Sequence, residues 1–172
     1  MKTISLNGPW RMRKAGAARF YDVTVPTTVC TDLLANGLLE DPYYRDNEDA
    51  ALLALRSDYE YSRTFTVPED FLDADSVELV CHGIDTIADI HLNGALLFRA
   101  DNMHRTWRTG VKAALHPGEN AIRVCFHSAA EYAERLEREN PVYKTSDTVD
   151  GFEQVRKAHC MYGWDWGPKL PD

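Results

Sequence analysis

The sequence predicts an all-β protein, an antiparallel β-sandwich with one or two short helices, and three observations carry that prediction. Several segments alternate apolar and polar side chains with a period of two, the pattern of strands that bury one face and wet the other. Between them stand turn residues such as Asn93-Gly94 and Pro117-Gly118. The 172 residues are 44% hydrophobic, with eight Tyr, six Phe and four Trp, which suffices for one core and is small for a multidomain enzyme. One domain over residues 1–172 is expected.

The first element in chain order that the pattern marks is a short helix over Thr28 to Asn36, where threonine can cap the start and Gly37 can take the left-handed stop. In Tyr59 to Val67 the residues Tyr59, Tyr61, Arg63, Phe65 and Val67 share one face of a strand, with Arg63 interrupting its apolar character. Ile87 to Leu92 and Ala95 to Phe98 flank Asn93-Gly94 and read as a hairpin with a type I′ turn. Ala121 to His127 turns Ile122, Val124 and Phe126 inward as a central strand. Ala129 to Glu139 reads as a solvated surface helix, with Glu131 four residues before Arg135 and Glu134 four before Arg138, ended by Asn140-Pro141. Pro141 to Gly151 is polar and irregular, as in a long mobile loop.

A net charge of −8 argues against a nucleic-acid binder, which needs cationic surface to displace counterions, and leaves neutral partners such as sugars open. No apolar run is long enough to cross a bilayer, and Met1 to Pro9 lacks the apolar core of a secretory signal, so no membrane contact and a cytoplasmic location are expected. Cys30, Cys81, Cys125 and Cys160 are widely spaced, which favours reduced thiols over a disulfide scaffold. Cys81-His82, Cys125-Phe126-His127 and His159-Cys160 lack the spacing of a zinc site, and neither a metal, a cofactor nor a cysteine nucleophile is expected. Glu69, Asp70, Asp73 and Asp75 read as a solvated turn. Tyr43 and Tyr44 could stack on sugars, but packing is favoured for at least one of them, and Trp107 reads as a core or interdomain residue.

The most informative segment is Tyr162-Gly163-Trp164-Asp165-Trp166-Gly167-Pro168. A sugar offers an apolar C–H face that stacks on indole and vicinal hydroxyls that can donate two hydrogen bonds to one carboxylate, and Trp164, Asp165 and Trp166 supply both. The same residues could equally plug one end of the sandwich, with Asp165 capping a turn.

Trp10, Val25-Pro26-Thr27-Thr28-Val29, Asp41-Pro42-Tyr43-Tyr44, Asn47-Glu48, Gly83-Ile84-Asp85-Thr86-Ile87-Ala88, Leu92-Asn93-Gly94 and Gly163-Trp164-Asp165-Trp166-Gly167-Pro168 occur in that order. The order resembles the amino-terminal sugar-binding domain of family 2 glycoside hydrolases of the β-mannosidase type, over nearly the whole chain. Leu-Asn-Gly and Gly-x-Asp are shared across family 2, whereas the Gly-Trp-Asp-Trp-Gly-Pro segment is more selective for the mannosidase branch.

The resemblance implies a jelly-roll β-sandwich of the galactose-binding-domain type, followed in the family by immunoglobulin-like domains and a (β/α)₈ barrel. It implies a non-catalytic part in retaining exo-hydrolysis of terminal β-D-mannose. Trp164, Asp165 and Trp166 would help line the mannose subsite, and the partners would be β-mannosides or manno-oligosaccharides and the rest of the enzyme's own chain. The two glutamates of retaining catalysis, about 5 Å apart, belong to the barrel in that family, so this chain alone is expected to be inactive. Asn47-Glu48 resembles the dipeptide of the barrel acid/base, but lies in an expected polar loop and reads as a solvated structural feature.

One departure from the family pattern is in the stretch beginning at Leu52, where Ala54-Leu55-Arg56-Ser57 stands in place of an expected tryptophan. Surface that the family buries against neighbouring domains makes self-association an expectation. A stand-alone lectin-like module and a purely structural scaffold are the alternative readings.

Overall fold

The computed structural model describes residues 2–143, 151–163 and 167–172. Eight strands occur among these residues: β1 Gly8–Lys14, β2 Tyr21–Val25, β3 Tyr59–Val67, β4 Glu78–Cys81, β5 Ile87–Leu92, β6 Ala95–Asp101, β7 Trp107–Gly110 and β8 Gly118–His127; the alternating segments named from the sequence are β3, β5, β6 and β8. Six make an antiparallel sheet in the order β2-β1-β3-β8-β5-β6, and β4 pairs with β7 in a second, two-stranded sheet. This is the antiparallel β-sandwich that the sequence predicts. Its core holds Trp10, Met12, Tyr59, Tyr61, Ile90, Ile122 and Val124 of the large sheet, with Val77 and Val111 beside the small one.

The alternation of faces read from the sequence holds in β3. Tyr59, Tyr61 and Val67 of β3 are buried, and Arg63, which interrupts that face, donates to the Leu6 and Asn7 carbonyls at 2.8 and 2.7 Å, so its charge helps fasten the amino-terminal chain. On the opposite face of β3, Glu60 is covered by Arg13 of β1 and Arg123 of β8 at 2.5 and 3.0 Å. The β5–β6 turn has Asn93 at φ 50° and Gly94 at φ 85°, the two left-handed positions that a type I′ turn needs. The Asn93 side chain is also a latch, accepting from Ala121 N at 2.9 Å and donating to Ala114 O and Asn120 Oδ1 at 2.8 Å.

Three α-helices occur among the described residues, one more than the sequence reading allowed: α1 Val29–Ala35, α2 Asn47–Leu55 and α3 Ala129–Glu139. The Thr28 hydroxyl caps α1 by accepting from Thr31 N at 3.2 Å, and Gly37 takes φ 65° just beyond its end. Helix α2 replaces the expected polar loop. Its run Ala50-Ala51-Leu52-Leu53-Ala54-Leu55 has no helical alternation to betray it, because the helix buries Ala51 and Leu55 while leaving Leu53 exposed.

Helix α3 corrects a second expectation. It is packed rather than solvated along one side, with Ala129, Ala130, Ala133 and Glu137 buried. Glu131 and Glu134 are both engaged from outside their own helix. Arg56, at the end of α2, reaches both, at 2.8 Å for Glu131 and closer still for Glu134, and Arg135 instead pairs with Glu139 at 3.2 Å. A bidentate partner from another element outcompetes an exposed four-residue pair. The sequence reading of Pro141 to Gly151 as a long mobile loop falls largely on residues 144–150, which lie outside the described residues. At its far end Gly151 has φ 81° and packs directly on the α3 backbone.

Candidate functional site

Trp164, Asp165 and Trp166 lie outside the described residues. The chain on either side of them is described. Tyr162 and Lys169 form an antiparallel bridge, so the two legs of the segment run side by side. At Gly163, φ is 94°, and a Cβ there would lie 2.9 Å from Lys169 Cγ and 3.2 Å from the Gly167 carbonyl oxygen. Glycine is needed at that position both for its left-handed backbone and for the close approach of the other leg. Tyr162 is fully buried with its ring centroid 5.6 Å from that of Phe152, and its hydroxyl finds no partner among the described residues. Burial pushes its pKa upward, with the nearby Asp85 charge adding to the shift.

The second leg is tied to α2. Glu48 Oε1 accepts the Lys169 backbone N–H at 2.7 Å, across 121 positions of sequence. The dipeptide Asn47-Glu48 therefore belongs to this domain's own architecture, as expected. It stands in the first turn of a helix, however, and Glu48 is half-buried rather than solvated. Asn47 contributes as well, its Nδ2 donating to Asp41 O at 2.9 Å and closing the loop that precedes α2.

Beneath these legs is a buried polar centre that sequence reasoning missed. The side chain of Lys157 is fully buried, and its Nζ lies 2.8 Å from Asp85 Oδ2 and also donates to the Asp172 backbone oxygen. The Asp172 carboxylate accepts from Cys30 N at 2.6 Å and from Val29 N and the Thr28 hydroxyl, while burial holds its pKa above the ordinary carboxylate value. These groups line a cavity of about 550 Å³ between β4 and the inner face of the large sheet, walled on its apolar side by Trp10, Tyr59, Tyr61 and Phe126. Asp85 sits in the Gly-x-Asp segment, which was a usable signal. Nothing in the sequence pairs it with Lys157, 72 positions away.

The remaining candidates resolve individually. Tyr43 and Tyr44 are 75% and 57% exposed, so neither packs as expected; the buried residue of Asp41-Pro42-Tyr43-Tyr44 is Pro42. Trp107 packs, stacking on Phe98 at 5.7 Å and donating its indole N–H to Asn102 O at 3.2 Å, with Arg105 lying over its ring. The His127 ring sits between Asp58 at 2.7 Å and Asp89 at 3.5 Å. No group of three or more His, Cys, Asp or Glu among the described residues is placed to hold a metal ion. All four cysteines are free thiols. Burial pushes Cys30 and Cys81 up to about 11, with Asp172 adding to the shift at Cys30, and raises Cys125 too, which keeps these thiols protonated and poor as nucleophiles. Glu69, Asp70, Asp73 and Asp75 are exposed, as expected of a solvated turn.

Comparison with known proteins adds the family. Residues 10–172 match the family described as glycosyl hydrolase 2 galactose-binding domain-like. The β-mannosidase of Mus musculus is 30% identical over 177 residues, covering 98% of this chain and 20% of its own length. β-Mannosidase B of Emericella nidulans is 36% identical over 155 residues, 86% of this chain and 18% of its own. The crystal structure of β-D-mannosidase from Dictyoglomus thermophilum superimposes with a TM-score of 0.93 at 34% identity, over 99% of this chain and 21% of that one. An exo-chitosanase from Amycolatopsis orientalis, at TM-score 0.60 and 18% identity over 70% of this chain, shares the fold alone. The chain spans about a fifth of the length of the β-mannosidases it matches.

Proposed function

The chain belongs to the glycosyl hydrolase 2 galactose-binding domain-like family, as the amino-terminal domain of the β-mannosidase type, and from that premise we propose that it serves a retaining exo-β-mannosidase acting on terminal β-D-mannose. In this reading the domain is non-catalytic. It completes the mannose subsite with Trp164, Asp165 and Trp166 and braces the catalytic domain of its own enzyme. The observation that carries the reading is the likeness to the Dictyoglomus thermophilum β-mannosidase along 99% of the chain.

The chemistry of the three residues supports the role. Asp165 accepts hydrogen bonds from two sugar hydroxyls, and the indoles of Trp164 and Trp166 offer apolar faces to the C–H side of the ring. Retaining hydrolysis also needs an acid/base carboxyl and a nucleophilic carboxylate about 5 Å apart across the scissile bond. The glutamate that superficially resembles an acid/base, Glu48, is instead engaged by the Lys169 amide.

Two assays test the proposal. The purified chain is expected to leave an aryl β-mannoside intact. In the β-mannosidase that carries this domain, Asp165→Ala is expected to lower kcat/KM for the same substrate by about a hundredfold, the scale of a lost charged hydrogen-bond acceptor in a binding site. Hydrolysis by the chain alone that disappears on Glu48→Gln would overturn the non-catalytic assignment, and an unchanged kcat/KM in Asp165→Ala would overturn the subsite assignment.

A further inference from the structure

We infer that α2 and the turn leading into it form the face on which the catalytic domain of the same enzyme docks, with Tyr43, Tyr44 and Leu53 as its apolar contacts. The inference rests on the bracing role proposed above and names the surface through which the domain performs it.

Large apolar side chains are exposed unevenly over the domain. Of the eight exposed among the described residues, Leu34, Leu38, Tyr43, Tyr44 and Leu53 belong to α1, α2 and the chain joining them, and the two helices touch. Exposed apolar surface gathered in one region marks a place where a partner sits.

The two tyrosines are held outward by a fixed turn. Pro42 is buried, Asp41 accepts from Tyr43 N through Oδ1 at 2.9 Å and from Tyr44 N through its carbonyl at 3.1 Å, and Tyr44 O accepts from Asn47 N at 3.2 Å. On α2 itself, Asp49, Ala50 and Leu53 form the exposed side while Ala51 and Leu55 are buried. Rings presented by such a turn lose little conformational freedom on contact, which suits aromatic side chains to be anchors at protein interfaces.

Position and charge select the occupant. The Lys169 N–H is bound by Glu48 of α2, and Asp172 accepts from Cys30 N of α1 at 2.6 Å, so residues 169–172 run between the same two helices. The chain spans about a fifth of the β-mannosidases it matches, and in an enzyme of that length the polypeptide beyond residue 172 leaves beside this face. Domains tethered there stand at an effective concentration far above that of a free partner. Among them the catalytic domain is the one that bracing concerns, since a reacting centre tolerates little displacement. Between Leu34 and Leu53 the exposed ionic side chains are Glu40, Asp41, Asp46 and Asp49 against Arg45, whose guanidinium lies 5.1 Å from the Tyr44 ring centroid. The complementary surface is therefore apolar with a basic rim.

The test compares the isolated chain with the β-mannosidase that carries it. Hydroxyl-radical oxidation of Tyr43, Tyr44 and Leu53, read by mass spectrometry, is expected to be about tenfold slower in the enzyme, as for side chains at the closed centre of an interface. A benzophenone side chain in place of Leu53 is expected to crosslink to the catalytic domain. Tyr43→Glu and Leu53→Glu, at exposed positions, are expected to leave the thermal midpoint of the isolated chain within about 2 °C of the parent and to speed proteolytic release of the domain from the enzyme by about tenfold. Equal oxidation in chain and enzyme overturns the inference, and so does a crosslink to a different domain or to a second copy. Oxidation of the isolated chain that slows as its concentration rises assigns the face to a second copy, and oxidation that slows on adding a manno-oligosaccharide assigns it to sugar; either overturns the inference. Asp165→Ala separates this outcome from the subsite reading. A protected face with kcat/KM unchanged in Asp165→Ala keeps the docking face and removes the subsite, whereas a lowered kcat/KM with an unprotected face does the reverse.

Discussion

Lys157 and Asp85 meet at 2.8 Å, with the lysine side chain wholly removed from solvent. The pair joins the segment that precedes Tyr162 to the loop between β4 and β5, and the Asp172 backbone oxygen accepts a further hydrogen bond from the same ammonium. A buried pair of this kind is a poor source of net stability, but breaking it leaves a charge without a partner. Lys157→Ala is therefore expected to destabilise the chain by about 3 kcal/mol, read from the urea midpoint. Lys157→Met paired with Asp85→Asn should recover part of that loss, because no uncompensated charge remains.

Asp32 is buried on α1, accepting from the Tyr61 hydroxyl at 2.6 Å and the Thr27 hydroxyl at 2.8 Å. Burial outweighs these bonds and raises its pKa above the ordinary 3.8. Below 3.8 the residue is protonated in both states and contributes no pH dependence. As the pH rises from there, the unfolded state ionises first, so the Asp32 contribution to stability falls until the folded-state value is passed. The stability of the parent relative to Asp32→Asn is accordingly expected to decline with rising pH across that interval, measured by denaturant unfolding at a series of pH values. A difference that grows with pH would contradict the assignment.

Gly151 sits at φ 81° where a Cβ would fall 2.3 Å from the Ala133 carbonyl oxygen. Strain and steric overlap act together there, and the overlap is with helix backbone, which cannot swing aside. Gly151→Ala is expected to cost about 3 kcal/mol and to lower the thermal midpoint, whereas Gly16→Ala, with φ 78° but open space around it, should cost about 1 kcal/mol.

Of the four free thiols, Cys160 is the exposed one, and Cys30 and Cys81 are pushed up to about 11 by burial. Labelling of the native chain with an aromatic disulfide near neutral pH is expected to give one rapid equivalent that Cys160→Ser abolishes, and four equivalents in denaturant.

The sequence was most legible where a local rule acts alone. Alternation delimited β3, Asn93-Gly94 specified the hairpin turn through two left-handed positions, and Thr28 with Gly37 bracketed α1. It was least legible at α2, whose apolar run has no period, and at Tyr43 and Tyr44, whose exposure follows from Pro42 being the residue that packs. The candidate site divides in the same way. The sugar-binding role proposed for Trp164, Asp165 and Trp166 is drawn from the sequence, while the bond from the Lys169 N–H to Glu48, 121 positions away, is visible only in the fold.

By itself, then, the sequence determined four of the eight strands, β3, β5, β6 and β8, the hairpin turn, the existence of α1 and α3, and the family, because each depends on neighbours within a few residues or on an ordered set of motifs. The tertiary structure decided which charges meet: Arg56 with Glu131 and Glu134, Lys157 with Asp85, and Glu48 with the Lys169 amide. Those pairings follow from how the folded chain brings distant segments together in places partly closed to water, where a charged group is held by whichever partner the packing presents.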